Sequence, residues 1–301
     1  MMLPEKKRRV TVSGGELAYV DAGEGPAVVL LHGFPTSSFL WRGLVHLLEP
    51  WFRVIAPDLL GYGNSDKPAD AALGIVPQTR YVLELLESLR VDRFAAVGHS
   101  HGGGIAQLLA LDGAGVEALV LFDAIAFEEW PADALEELKR TPTSVRGESL
   151  VRAVLLAGFD LAMGHRERLS GADVEEYLRP WMGEEGWRAF FRALDSIDGE
   201  GLAGREEELS RIECPAFLVW GEDDPFLPPS VAERLADVLP DAALALLPGC
   251  SHFVTEDAPD TVGPLVLEWL RARYLGHRHG HDASAPVSIP LQRKNDGKEL
   301  P

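Results

Sequence analysis

RFAAVGHSHGGGIAQLLALD, residues 93–112, is the stretch whose reading decides the fold. Its first part, Arg93 to Val97, reads as a strand, and the part from Gly103 onward carries the apolar pattern of a helix. Between them lies Gly98-His99-Ser100-His101-Gly102, a serine with a glycine two positions away on either side. A serine held on a strained strand-to-helix turn leaves no room for side chains at those two positions, which is the physical reason for both glycines. Such a turn lifts the hydroxyl above the sheet edge. The helix that follows points its positive N-terminal end at the place where negative charge would develop.

Short β-rich runs alternate with helical patterns on both sides of this unit. Upstream come AVVLLHG (27–33), a helix near 39–49, RVIAPD (53–58) and a helix near 76–89; downstream come ALVLF (118–122), PAFLVWG (215–221), a helix near 229–238, ALALLPG (243–249) and a helix near 258–275. This rhythm predicts an α/β fold with a mostly parallel, twisted sheet of about eight strands. AVVLL and ALVLF are apolar at consecutive positions, as expected of central strands covered by helices on both faces. RRVTV (8–12) and ELAYVDA (16–22) flank Ser13-Gly14-Gly15 and predict a hairpin at one edge. Residues 124–210 show no clear strand and several helical patterns, so they read as an inserted helical cap. The core is then 1–123 with 211–275, and 276–301, polar and without periodicity, reads as a disordered tail.

The composition, 46% hydrophobic and 25% charged, is that of a water-soluble globular protein. Forty-seven acidic residues against 28 basic ones give a net charge of -19, which disfavours nucleic acid and anionic lipid as partners. The basic opening MMLPEKKRRV is not followed by the apolar core of a signal peptide, and AVLLAG (153–158) is soon broken by Asp160, so neither export nor a membrane span is expected. Two cysteines, Cys214 and Cys250, are too few for a disulfide framework and fit a reducing compartment. A cytoplasmic monomer or homodimer acting on a small molecule is the expectation. His277, His279 and His281 alternate in the tail, where no second shell would support a metal.

A nucleophilic serine needs a base, and the base needs an orienting acid. Glu222-Asp223-Asp224-Pro225 follows PAFLVWG, and Cys250-Ser251-His252-Phe253 follows ALALLPG. With the serine turn, these motifs resemble the α/β-hydrolase superfamily, in which the chain order is serine, acid, histidine. The resemblance covers roughly residues 8–275. It implies a catalytic triad of Ser100 as nucleophile, Asp224 as acid and His252 as base. His32-Gly33-Phe34-Pro35 resembles the family's oxyanion loop, which implies an oxyanion hole from the backbone N–H groups of Phe34 and His101. The segment Pro57 to Pro68 also resembles this superfamily, including its haloalkane dehalogenase and epoxide hydrolase branches; Asp58 and Asp66 within it read as loop stabilisers.

Those two branches use aspartate where this chain has Ser100, and many dehalogenases have asparagine where it has Phe34. The departures favour a serine esterase that cleaves a small to medium, largely apolar carboxylic ester through an acyl-enzyme, with no metal or cofactor. A carbon-carbon bond hydrolase, a thioesterase, an amidase or a perhydrolase would use the same residues, and some proteins of this fold are ligand-binding receptors. Asp123, ending ALVLF, is a rival acid because some relatives place theirs there. His99 is expected to pack beneath the turn. His32, Phe34, His101, Trp130 and Phe253 are the candidates for lining the substrate pocket.

Overall fold

The apolar runs form one eight-stranded sheet: β1 (Arg8–Val12), β2 (Gly15–Ala22), β3 (Ala27–Leu31), β4 (Arg53–Pro57), β5 (Phe94–His99), β6 (Val116–Phe122), β7 (Ala216–Gly221) and β8 (Ala242–Leu247). Their spatial order is β1-β2-β4-β3-β5-β6-β7-β8. This is seen in a computed structural model that describes residues 7–128, 133–198 and 200–276. The β1–β2 hairpin and the β2–β4 pair are antiparallel, and every other pair is parallel. β3, β5 and β7 are buried along their whole length, which is what runs without polar alternation require.

Eleven α-helical segments accompany the sheet among the described residues. They are α1 (Arg42–Leu48), α2 (Ile75–Ser88), α3 (His101–Leu111), α4 (Asp133–Lys139), α5 (Glu148–Ala162), α6 (Gly171–Leu178), α7 (Gly183–Asp195), α8 (Glu206–Leu209), α9 (Pro229–Val238), α10 (Val254–Asp257) and α11 (Pro259–Trp269). The helix expected near 39–49 begins as a separate 3-10 turn, Ser38–Trp41, because the Ser37 hydroxyl accepts from Phe39 N. The one expected near 258–275 starts at Pro259, whose missing N–H suits a first helical position, and widens over Leu270–Leu275.

Between β6 and β7 the described chain is helical, with α4 to α8 and no strand. This layer is tied to the core at several points. Trp181 Nε1 donates to Pro35 O at 2.8 Å, Arg192 donates to Lys67 O at 2.8 Å, and Phe253 N donates to Ala162 O at 3.2 Å. Tyr177 Oη and the Arg42 guanidinium both donate to Glu256. Asp58 accepts from Ser38 N at 2.9 Å and Asn64 N at 2.7 Å, and Asp66 accepts from Glu16 N at 3.0 Å, so both carboxylates fasten loops. Burial alone would raise the Asp58 carboxyl, but the Lys7 ammonium in contact with it, together with His32 and the Asn64 N–H, holds it below the usual range. No helix of the described residues is long and apolar enough to cross a membrane, and both cysteines are free thiols. Trp130 and residues 277–301 of the tail expected over 276–301, with its three histidines, lie outside the described residues.

Candidate active site

The carboxyl ends of β3, β5, β7 and β8 lie along one edge of the sheet, and the loops leaving them carry the site. Ser100 follows β5 with φ 52° and ψ −116°, a conformation that a non-glycine residue adopts only under constraint. The constraint is visible: Ser100 N donates to Phe122 O at 3.0 Å, and Ser100 O accepts from Gly103, Gly104 and Ile125. A Cβ on Gly98 would lie 2.2 Å from Gly102 O, and one on Gly102 would lie 2.0 Å from Leu31 O. The close approach of backbone to backbone is therefore what both flanking glycines permit. A Cβ on Gly33 would meet the Ser100 Cβ at 2.7 Å, so the loop His32–Pro35 runs directly against the serine.

His252 lies 3% exposed after β8, and its Nδ1 donates to Asp224 Oδ2 at 2.8 Å. That bond leaves Nε2 with the lone pair a base requires. Asp224 is fixed in turn, since its Oδ1 accepts from Phe226 N at 2.8 Å and Leu227 N at 3.1 Å. His99 lies beneath the turn and donates through Nε2 to the carbonyl of His252 at 2.9 Å, joining the serine turn to the histidine loop. Asp257 holds the same loop from the other side. It accepts from Ser251 N at 2.8 Å and, across the junction with the helical layer, from Gly164 N at 3.0 Å and His165 N at 2.8 Å.

Asp123 follows β6 in the left-handed region, φ 39°, and its Oδ1 accepts from Gly221 N at 2.8 Å. Burial, reinforced by the charge of Asp224, raises its pKa well above the ordinary carboxyl value. The structure thus brings Asp224, and not Asp123, to the ring of His252. Burial also keeps the neighbouring imidazoles neutral: His32 falls to about 4, His101 to about 3, and His99 well below its usual value.

A cavity of about 90 Å³ opens beside His252. The core contributes Phe34, Pro35, Phe226, His252 and Phe253, and the helical layer contributes Leu135, Leu138, Val154, Leu155, Gly158, Phe159, Ala162 and Phe190. Phe34 and Phe253, two of the pocket candidates, line it. His32 and His101 do not line this cavity. His32 is consumed by structure, accepting from Leu59 N through Nε2 at 2.9 Å and donating from Nδ1 to Gly33 O at 3.0 Å, while His101 is buried at the start of α3. Sequence reasoning missed Phe226 and the aliphatic wall of α4 and α5. The usable signal was in α5, where Val151, Leu155, Phe159 and Ala162 mark one buried stripe at helical spacing.

A sequence profile described as the alpha/beta hydrolase fold matches residues 26–259. Haloalkane dehalogenase 2 of Mycobacterium bovis is 32% identical over 286 residues, covering 89% of this chain and 96% of that protein. Among solved structures, an alpha/beta hydrolase fold protein from Burkholderia ambifaria has a TM-score of 0.79 at 29% identity, covering 89% of this chain and 99% of its own. Haloalkane dehalogenase DbeA from Bradyrhizobium elkani has a TM-score of 0.77 at 27% identity, covering 89% and 98%. With a profile match over most of its length on a sheet of this order, the chain belongs to the alpha/beta hydrolase fold family.

Proposed function

We propose that this hydrolase cleaves small to medium, largely apolar carboxylic esters through an acyl-enzyme on Ser100, with His252 as base and Asp224 as its orienting acid. The observation that carries the reading is the Asp224–His252 pair at 2.8 Å, on the same sheet edge as a serine locked in an elbow. His252 Nε2 takes the Ser100 hydroxyl proton as Oγ bonds to the ester carbonyl carbon, and the carbonyl electron pair moves onto oxygen. The backbone N–H groups of Phe34 and His101 hold that oxyanion. Its collapse expels the alcohol, protonated by His252, and water repeats the sequence to release the acid and restore Ser100.

The similarity to dehalogenases does not transfer the reaction. An alkyl group on a carboxylate is an ester that water can open at its carbonyl. The same group on Ser100 would be an ether with no carbonyl to attack, and the enzyme would stop after one turnover. Among the described residues the cavity wall carries no cationic side chain, which leaves a carboxylate-bearing substrate of a carbon-carbon hydrolase without a partner. A cavity several times the space of one water, apolar apart from His252, favours short acyl or alcohol groups.

The test is turnover of p-nitrophenyl esters from acetate to palmitate beside halide release from 1-chlorobutane and 1-bromobutane. The short esters, acetate through hexanoate, should be cleaved faster than palmitate, with no rise at the micellar threshold and no catalytic halide release. A rate maximum at palmitate, or sustained halide release, would overturn the reading.

A further inference from the structure

α5 is a 15-residue helix with a glycine well inside it, Gly158, four residues before its end. Glycine in a helix interior is destabilising relative to alanine, so its presence calls for a local reason. Three reasons are ordinary. The first is a positive φ, and Gly158 is not among the residues that have one. The second is close approach of another backbone, yet a Cβ built on Gly158 meets no atom within 4 Å. The third is a helix terminus, which its position rules out. Two other glycines inside helices do have a packing reason: at Gly186 a Cβ would lie 2.5 Å from the Trp181 backbone, and at Gly103 it would lie 2.3 Å from the Ala124 Cβ.

What remains is the cavity. Gly158 lines it one turn after Val154, beside the buried stripe of Leu155 and Phe159. Among the lining residues Phe34, Phe159, Phe190 and Phe253 are buried, whereas Pro35, Leu135, Leu138, Val154, Gly158 and Phe226 are half-buried. Gly158 therefore belongs to the half-buried outer wall that the helical layer supplies with Leu135, Leu138 and Val154, where a side chain would project into space now open.

We propose that Gly158 is a specificity-determining position, whose missing side chain holds open the outer part of the cavity and sets the girth and length of the group that reaches Ser100. This rests on the ester-hydrolase reading for the identity of the substrate, but not for the existence of the space. A leucine here would fill the outer half with a branched side chain, stopping longer acyl groups while still admitting acetate. An alanine would take less space and would also favour the helix, so stability and substrate range should move in opposite directions.

The experiment uses the full chain as Gly158→Ala and Gly158→Leu. The kcat/KM for p-nitrophenyl hexanoate relative to acetate should fall in Gly158→Leu by about tenfold or more, with a smaller fall in Gly158→Ala. The melting temperature of Gly158→Ala should rise. In parallel, hexan-1-ol is titrated by ligand-observed NMR against Ser100→Ala and against Ser100→Ala with Gly158→Leu, where its affinity should drop by about the same factor. If the parent turns over no ester, the function is wrong and the alcohol titration still decides the fate of Gly158. An unchanged hexanoate-to-acetate ratio, or an unchanged alcohol affinity in folded Gly158→Leu, would mean that the side chain turns to solvent, and the proposal fails. If Gly158→Leu does not fold, the same two measurements on Gly158→Ala decide between the outcomes.

Discussion

Asp123 and Asp224 follow adjacent strands, and their surroundings push them to different tasks. Asp224 accepts two backbone N–H groups on one oxygen and His252 on the other, so losing its charge leaves the imidazole in the wrong tautomer. Burial and the charge of Asp224 raise the pKa of Asp123, which favours its neutral acid, and asparagine is nearly isosteric with that form. Asp224→Asn should therefore reduce kcat by roughly 10⁴-fold, while Asp123→Asn keeps activity within an order of magnitude. Steady-state kinetics on the two variants checks this, and a greater loss in Asp123→Asn would reverse the assignment. At this scale the sequence was readable as to place, with Ser100, Asp224 and His252 following β5, β7 and β8. It could not separate His32 from a pocket residue, because what occupies His32 is Leu59 N, 27 positions away in the chain.

Elements were legible through their periodicity, and the contacts between them were not. The alternation of strands and helices announced the sheet, its antiparallel edge and the helical stretch between β6 and β7, since burial on both faces leaves an apolar run in the sequence. The fastening of the helical layer to the histidine loop left no such mark. Asp257 looks like any acidic residue before a proline-led helix, yet it accepts from one N–H beside His252 and two from residues 164 and 165. Asp257→Ala should strand those buried donors, cost about 3 kcal/mol or more, and lower activity by loosening both His252 and the cavity wall. Urea unfolding and ester kinetics on this variant test it, and parental values in both would remove Asp257 from any positioning role.

Across the molecule, four histidines gather near the serine, and three of them, His32, His99 and His101, are kept neutral by burial. For His32 the sign is fixed: the unfolded chain takes up a proton near 6.5 and the native protein only near 4. Its contribution to stability is therefore complete above about pH 6.5 and is lost as pH falls toward about 4, a change of about 3 kcal/mol. His101 acts in the same direction down to about 3. Urea midpoints of the parent should fall over this window, and the fall should be shallower in His32→Gln; identical slopes would show that His32 is not the titrating group. The proposed ester cleavage would pass through one covalent species, an acyl group on the elbow serine. Rapid-quench mass spectrometry of the protein mixed with p-nitrophenyl butyrate should show one added butyryl group, located by peptide mapping on Ser100, forming with a burst of p-nitrophenol and decaying with turnover. An adduct on another residue, or steady ester turnover in Ser100→Ala, would contradict it.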